Sequence, residues 1–340
     1  MIKVLIVDDS SFMRVKIRKC LETDPNIKIA GIARDGLDAV NKTMALKPDV
    51  ITMDVNMPKM SGIAAVEHIM EKCPTPIIMV STFTQHGAKE TIEALNKGAI
   101  DYINKDELSS EILLEKIYLA MDATFKPLTP EKKNDHIPPF PQQQIENKFS
   151  IVGIGISTGG PRALSQFMPH ISPDIQASIL IAQHMPPTFT QSLAQRLNAE
   201  CKIKVKEAEN QELIRPGYAY ICPGGMHMLV EKKDTISLIP KGRFPNYHFV
   251  PSADLLMASI SKIYGPNALC IIMTGMGSDG LEGIKVAREN KSYVIAQSQS
   301  SSTIYGMPKA IISNNLQDEI VHLDDMSQRI NQLCSKDTSM

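Results

Sequence analysis

Five residues in the first third of the chain are of types that together handle phosphoryl groups. Three in the remainder are of types that together cleave acyl bonds. Asp8 and Asp9 close one short apolar run, Asp54 closes another, and Ser81 and Lys105 close two more. If these runs are parallel strands of one open sheet, their carboxyl ends share an edge, and the three carboxylates converge where such sheets bind ligands. Three carboxylates repel one another unless a cation sits among them, and an all-oxygen ligand set suits Mg²⁺. A carboxylate nucleophile beside Mg²⁺, with a lysine and a hydroxyl to receive phosphoryl oxygens, is equipped to form an aspartyl phosphate. The plainer reading is that an acid at a strand end only caps the next helix. It serves for Asp8 or Asp54 taken singly and accounts poorly for the set.

The second group is built around Gly153-Ile-Gly155-Ile-Ser157-Thr-Gly159-Gly160, which follows an apolar run and precedes a helix opened by Pro161. Two chemistries compete for this loop. Its glycines nearly match the dinucleotide fingerprint, but the third falls at the wrong spacing and no second strand ending in an acid follows about 20 residues on. Centred on Ser157 it is Gly-x-Ser-x-Gly, a serine on a tight strand-to-helix turn with helix N-terminal amides beside it. That reading needs a base and an acid. His184 directly follows the run 178–183 and would share the carboxyl edge with Ser157; His227 and His248 remain candidates for substrate-side groups. Asp279 lies in Thr274-Gly-Met-Gly-Ser-Asp279-Gly280 after the run 268–273, where it could orient His184 or merely cap the helix that follows. The chain order Ser, His, Asp differs from the Ser, Asp, His order of α/β-hydrolases, so a separate doubly wound fold is expected.

The elements that must position these groups alternate regularly. Residues 1–121 hold candidate strands at 3–7, 27–33, 50–53, 76–80 and 102–103, each followed by apolar residues at helical spacing, which predicts a five-stranded, doubly wound α/β domain. Residues 122–149 contain Pro127, Pro130, Pro138, Pro139 and Pro141 and read as a linker. Residues 150–340 return to an α/β pattern, with a stretch at 216–239 punctuated by Gly and Pro that suggests a small antiparallel addition. After about Asp324 the chain turns polar and is expected to fray.

With 340 residues, 43% hydrophobic, 21% charged and a net charge of −1, the chain fits two soluble globular domains and lacks a cationic footprint for nucleic acid. No apolar run reaches the roughly 18–20 residues of a membrane span, and the start turns acidic after four apolar residues, so a cytoplasmic location without membrane insertion is expected. The six cysteines contain no CxxC pair, which fits neither a disulfide framework nor a zinc site.

Residues 1–121 resemble the receiver domain of response regulators, a flavodoxin-like fold, through Val7-Asp-Asp-Ser10, Met53-Asp-Val-Asn-Met-Pro58, Val80-Ser81, Gly98-Ala99 and Lys105. The resemblance implies that Asp54 is the phosphoacceptor, that Asp8 and Asp9 bind Mg²⁺ with Asp54 and the main-chain carbonyl of Asn56, and that Ser81 and Tyr102 are the switch hydroxyl and aromatic, with Lys105 beside them. Lys105 is followed by Asp106 where receivers often have Pro, which removes the usual basis for a cis peptide there. Residues 150–312 resemble the catalytic domain of the CheB family of chemotaxis protein-glutamate methylesterases. They do so through Gly-Ile-Ser157-Thr-Gly-Gly-Pro, Gln-His184-Met-Pro-Pro-Thr-Phe-Thr, Pro216-Gly-Tyr-Ala-Tyr-Ile-Cys-Pro-Gly, Thr274-Gly-Met-Gly-Ser-Asp279-Gly and Tyr305-Gly-Met-Pro-Lys-Ala. This implies hydrolysis of glutamyl methyl esters on chemoreceptors without a cofactor, often with deamidation of glutamines, by a triad of Ser157, His184 and Asp279 with the Met276 amide at the oxyanion. It also implies a histidine kinase as phosphodonor and an unphosphorylated receiver that blocks the triad. One departure is His248-Phe-Val-Pro251-Ser252, where relatives often have His-Arg-Pro-Ser. A response regulator with a purely binding second domain and a nicotinamide-dependent enzyme remain as alternatives.

Overall fold

The computed structural model describes residues 1–82, 84–123 and 149–335, and the inferred linker lies outside them over residues 124–148. The chain divides into two compact units. The N-terminal unit runs β1 (Ile2–Val7), α1 (Ser11–Leu21), β2 (Ile27–Ala33), α2 (Gly36–Leu46), β3 (Val50–Asp54), α3 (Gly62–Lys72), β4 (Ile77–Ser81), α4 (Gln85–Lys97), β5 (Asp101–Asn104) and α5 (Ser110–Asp122). Its five strands form one parallel sheet in the order β2-β1-β3-β4-β5. Alternate residues of β1 enter opposite cores, Leu5 and Val7 against α2 and α3, Val4 and Ile6 against α1 and α5, as the period of two requires. Each helix has a side chain accepting a backbone amide at its N-cap: Ser10, Asp35, Ser61, Thr84 and Ser109. Since Ser10 caps α1 and Ser61 caps α3, Asp8 and Asp54 are left for another role.

The C-terminal unit continues with β6 (Ile151–Ile156), α6 (Gly160–Phe167), β7 (Ser178–Gln183), α7 (Pro187–Glu200), β8 (Lys204–Glu207), β9 (Tyr218–Ile221), β10 (Met226–Lys232), β11 (Thr235–Pro240), α8 (Ala253–Tyr264), β12 (Ala268–Ile272), α9 (Leu281–Glu289), β13 (Tyr293–Gln297), α10 (Met307–Ser313), β14 (Glu319–Val321) and α11 (Leu323–Cys334). Seven strands make a parallel sheet in the order β14-β13-β12-β6-β7-β9-β8. Strands β10 and β11 pair antiparallel, so the predicted antiparallel stretch is correct for its second part, whereas β9 joins the main sheet beside β7. The order reverses direction at β6, which places a crevice between the ends of β6 and β12, the usual ligand position in such sheets.

Gly153 and Gly155 lie inside β6, and their role is steric. A methyl at Gly153 would come within 2.9 Å of Ile260 and one at Gly155 within 2.6 Å of Ala253 Cβ, both on α8. The glycines therefore seat α8 against the central strand. They do not form a phosphate cradle, which argues against dinucleotide binding by this loop.

The expectation of a frayed end fails as far as Ser335, and its remainder, 336–340, lies outside the described residues. Helix α11 buries Met326, Ile330, Leu333 and Cys334, and its Arg329 is a buried partner of Glu319 on β14, with Nε 2.7 Å from Oε2. All six cysteines are free. No helix among the described residues is long and apolar enough to cross a membrane.

Candidate functional site

In the N-terminal unit the carboxyl edge of the sheet gathers the predicted groups. One oxygen from each of Asp8, Asp9 and Asp54 can be chosen so that all lie within 4.8 Å of one another. Asp8 and Asp54 are buried while Asp9 is exposed. Lys105 Nζ is 2.8 Å from Asp54 Oδ2 and 3.3 Å from Asp8 Oδ2. Asp54 Oδ1 accepts the amide of Val55 at 2.8 Å. Burial raises the Asp54 carboxyl to about 6; Lys105 pulls it down and the Asp8 charge pushes it further up. The Asp8 carboxyl is likewise raised, by burial first, against the opposing pull of Lys105. Asp8 Oδ2 is buried and meets the Lys105 ammonium only at that longer 3.3 Å distance. One ammonium thus faces two buried carboxylates plus Asp9, and an oxygen-liganded cation fits this surplus of negative charge.

Ser81 ends β4, whose register places Val80 opposite Asp54, and Tyr102 lies on β5 opposite Met79. The Lys105 amide donates to the Ser81 carbonyl at 2.9 Å. Asn56 follows Asp54 by two residues, and its Nδ2 donates to Glu90 at 2.9 Å. The one cis peptide among the described residues is Val250-Pro251, so the Lys105-Asp106 bond is trans.

In the C-terminal unit, Ser157 and His184 leave neighbouring strands side by side, because Ile156 of β6 pairs with Gln183 of β7. The buried Gln183 side chain ties these two strand ends together, its Nε2 donating to the carbonyls of Ser157 at 3.0 Å and His184 at 3.3 Å. On the other flank the Ser157 amide donates to the Thr274 carbonyl at 2.9 Å, which brings the loop after β12 against the serine. That loop carries Met276, whose amide donates to no described group, and Asp279.

His184 Nε2 lies 2.7 Å from Asp279 Oδ2. Nε2 therefore carries the proton toward the carboxylate, and Nδ1 is the nitrogen left to act as a base. No hydrogen bond joins Ser157 to His184 in this state, a common condition before substrate binds.

Asp279 does not cap its own helix. Oδ1 accepts the Ser252 hydroxyl at 3.0 Å and the Asp254 amide at 3.0 Å, and Oδ2 accepts the Ala253 amide at 2.7 Å in addition to His184. Burial alone would raise its carboxyl, but the His184 contact and the amides at the start of α8 outweigh burial and hold it below the ordinary value. These partners, together with Phe249, are residues the sequence reading missed. Phe249 stacks on the His184 ring, with centroids 4.7 Å apart and planes 4° apart, and is 39% exposed. A Ser-x-Asp helix start after Pro251 was the available signal for Ser252 and Asp254.

His227, considered for the substrate side, is fully buried with neither ring nitrogen hydrogen-bonded, edge-on to Phe244 and Tyr247. His248 is exposed.

Comparison with known proteins agrees with both halves. The profile of the CheB methylesterase family matches residues 152–330, and that of the response regulator receiver domain matches residues 4–117. A protein-glutamate methylesterase/protein-glutamine glutaminase of Geobacter sulfurreducens is 41% identical, with 98% of this chain and 97% of that protein aligned. One from Halalkalibacterium halodurans is 43% identical, with 98% and 99% aligned. The crystal structure of the Thermotoga maritima CheB methylesterase catalytic domain is similar with a TM-score of 0.52 at 33% identity, covering 54% of this chain and 98% of that one. A serine, a histidine and a buried carboxylate at adjoining strand ends, a receiver domain in front, and relatives aligned over nearly their whole length place the chain in the CheB methylesterase family.

Proposed function

We propose that this protein is a phosphorylation-controlled protein-glutamate methylesterase of the chemotaxis system, acting on glutamyl methyl esters of chemoreceptors and deamidating receptor glutamines through the same acyl-enzyme. The observation that carries the reading is the 2.7 Å His184–Asp279 contact beside Ser157. Ser157 Oγ attacks the ester carbonyl as His184 Nδ1 takes its proton, and Asp279 holds the imidazolium that forms. The Met276 amide donates to the oxyanion. His184 returns the proton to the leaving methoxide, methanol departs, and water activated by His184 hydrolyses the acyl-serine to glutamate and free serine. A glutamine substrate loses ammonia in place of methanol.

In the receiver, Asp54 accepts the phosphoryl group from a histidine kinase, and Lys105 and Ser81 receive its oxygens. Asp8, Asp9, Asp54 and the Asn56 carbonyl would hold Mg²⁺, which neutralises phosphoryl charge when bound. Asp54 phosphorylation biases Ser81 and Tyr102 and so raises esterase activity. The test is methanol release from methyl-labelled chemoreceptor membranes, with and without a small phosphodonor and Mg²⁺. Release that rises with the phosphodonor supports the reading, and no release under any condition while Asp54 is phosphorylated would refute it.

Two smaller effects are expected. Saturating Mg²⁺, at about 100 times its Kd, should stabilise the receiver by about 2.7 kcal/mol in thermal melts against an EDTA control. Asp9→Asn should remove most of that gain. Phe249→Ala should lower kcat/KM for methanol release about two- to tenfold, because an aromatic stack contributes about 0.5–1.5 kcal/mol. A rate equal to wild type would show that the stack does not hold His184.

A further inference from the structure

The carboxylate that orients His184 is held by a clasp between two helix starts. Asp279 immediately precedes α9, yet its carboxylate receives the Ser252 hydroxyl and the amides of Ala253 and Asp254 at the start of α8. In return, Asp254 Oδ1 receives the amides of Gly280 at 2.9 Å and Gly283 at 2.8 Å at the start of α9. The N-cap of α9 is Gly280, which has no side chain to cap with, so Asp254 supplies the acceptor from the neighbouring helix. Each helix thus lends the other a carboxylate, and the positive ends of both dipoles are satisfied across the junction.

Gly283 permits the approach: a methyl there would lie 2.4 Å from the Asp254 carbonyl oxygen and 2.8 Å from its Cα. Burial raises the Asp254 carboxyl to about 6, with the Gly283 amide opposing and the Asp279 charge adding to the rise. An acid kept in such a place, at that electrostatic cost, serves the geometry of the junction.

We infer that Asp254 is a positioning residue for the esterase reaction, acting through Asp279 by anchoring the 279–283 turn to α8 so that the carboxylate stays in line with His184. The inference rests on the esterase reading of Ser157, His184 and Asp279. Without the Asp254 acceptor, the Gly280 and Gly283 amides lose their partner and the turn is free to shift. A small displacement of Asp279 then misaligns the imidazole while the substrate surface is unchanged. The loss should fall on kcat and leave KM alone.

The experiment measures methanol release from methyl-labelled chemoreceptor membranes by the full-length protein with phosphodonor and Mg²⁺, with folded fraction fixed by circular dichroism and thermal melting. Asp254→Ala is expected to lower kcat about tenfold or more with KM within about twofold. Asp254→Asn, whose Oδ1 can accept both amides, is expected to return kcat to within about threefold of wild type. A folded Asp254→Ala with kcat within twofold of wild type overturns the inference, as does an Asp254→Asn as slow as the alanine variant. If Asp254→Ala does not fold, Gly283→Ala strains the same clasp from α9, and an undiminished kcat in it overturns the inference equally. Ser157→Ala is assayed in parallel: hydrolysis surviving there refutes the Ser157–His184–Asp279 triad on which the inference rests, whereas its loss beside a fully active Asp254→Ala refutes the positioning role alone.

Discussion

Replacing Ser157 with alanine is expected to lower the turnover of the glutamyl ester by at least about 10⁴-fold, equivalent to about 5.5 kcal/mol of transition-state stabilisation. The serine follows directly on β6, with His184 leaving the adjacent strand and the loop that carries Met276 held against the other flank. His184→Ala should cost about as much, and the double variant little more, because nucleophile and base act as a unit. What survives is the contribution of the oxyanion amide and substrate binding. Initial rates of methanol release across the three variants check this. A Ser157→Ala rate above about one per cent of wild type would remove Ser157 from the role of nucleophile.

Asp54→Asn is expected to abolish phosphate incorporation from a small phosphodonor and with it the stimulation of methanol release, while leaving the unstimulated rate in place. The amide is nearly isosteric but is not a nucleophile. Radiolabelled phosphodonor and acid-labile phosphate assays check the first outcome, and phosphate retained at wild-type stoichiometry would assign the acceptor elsewhere.

The same variant should change the response to pH. The folded Asp54 carboxyl sits at about 6, against an ordinary value of 3.8, because of burial and then the Asp8 charge, opposed by Lys105. A carboxyl raised on folding holds its proton more tightly in the native state. Stability is therefore lost as pH climbs from about 4 to about 6. Without Mg²⁺, Asp54→Asn should be more stable than wild type at pH 7 by about 1–3 kcal/mol, and the difference should vanish below pH 4. Denaturant titrations of the metal-free proteins at both pH values measure it.

The strand-end residues were legible because a doubly wound sheet converts position in sequence into position on one edge. Asp8, Asp54, Ser81 and Lys105 needed only the ends of four apolar runs to be brought together, and Ser157, His184 and Asp279 followed in the same way. What was not legible depends on pairings that carry no local signature. Ser252 and Asp254 read as an ordinary helix start, and their partner Asp279 is 27 and 25 residues away. Phe249 lies on an irregular segment, and only the folded loop brings it onto His184. The glycines of β6 were ambiguous because close approach of a phosphate and close approach of a helix ask the same thing of a backbone. Helix α11 was hidden by its polar composition, since its buried Arg329 reads as a surface residue until Glu319 is found beside it.

The two sites balance buried negative charge by different means, and this sets how easily each can be lost. In the receiver the counter-charge is the Lys105 ammonium, a single side chain that one codon change or one acylation removes. At Asp279 the His184 contact is backed by the backbone amides of Ala253 and Asp254, which every residue except proline possesses. Side-chain replacement can move those amides but cannot delete them. Mutational scanning should therefore find the receiver intolerant of nearly every change at Lys105, and the esterase tolerant at Ala253 of any small residue that keeps α8 seated.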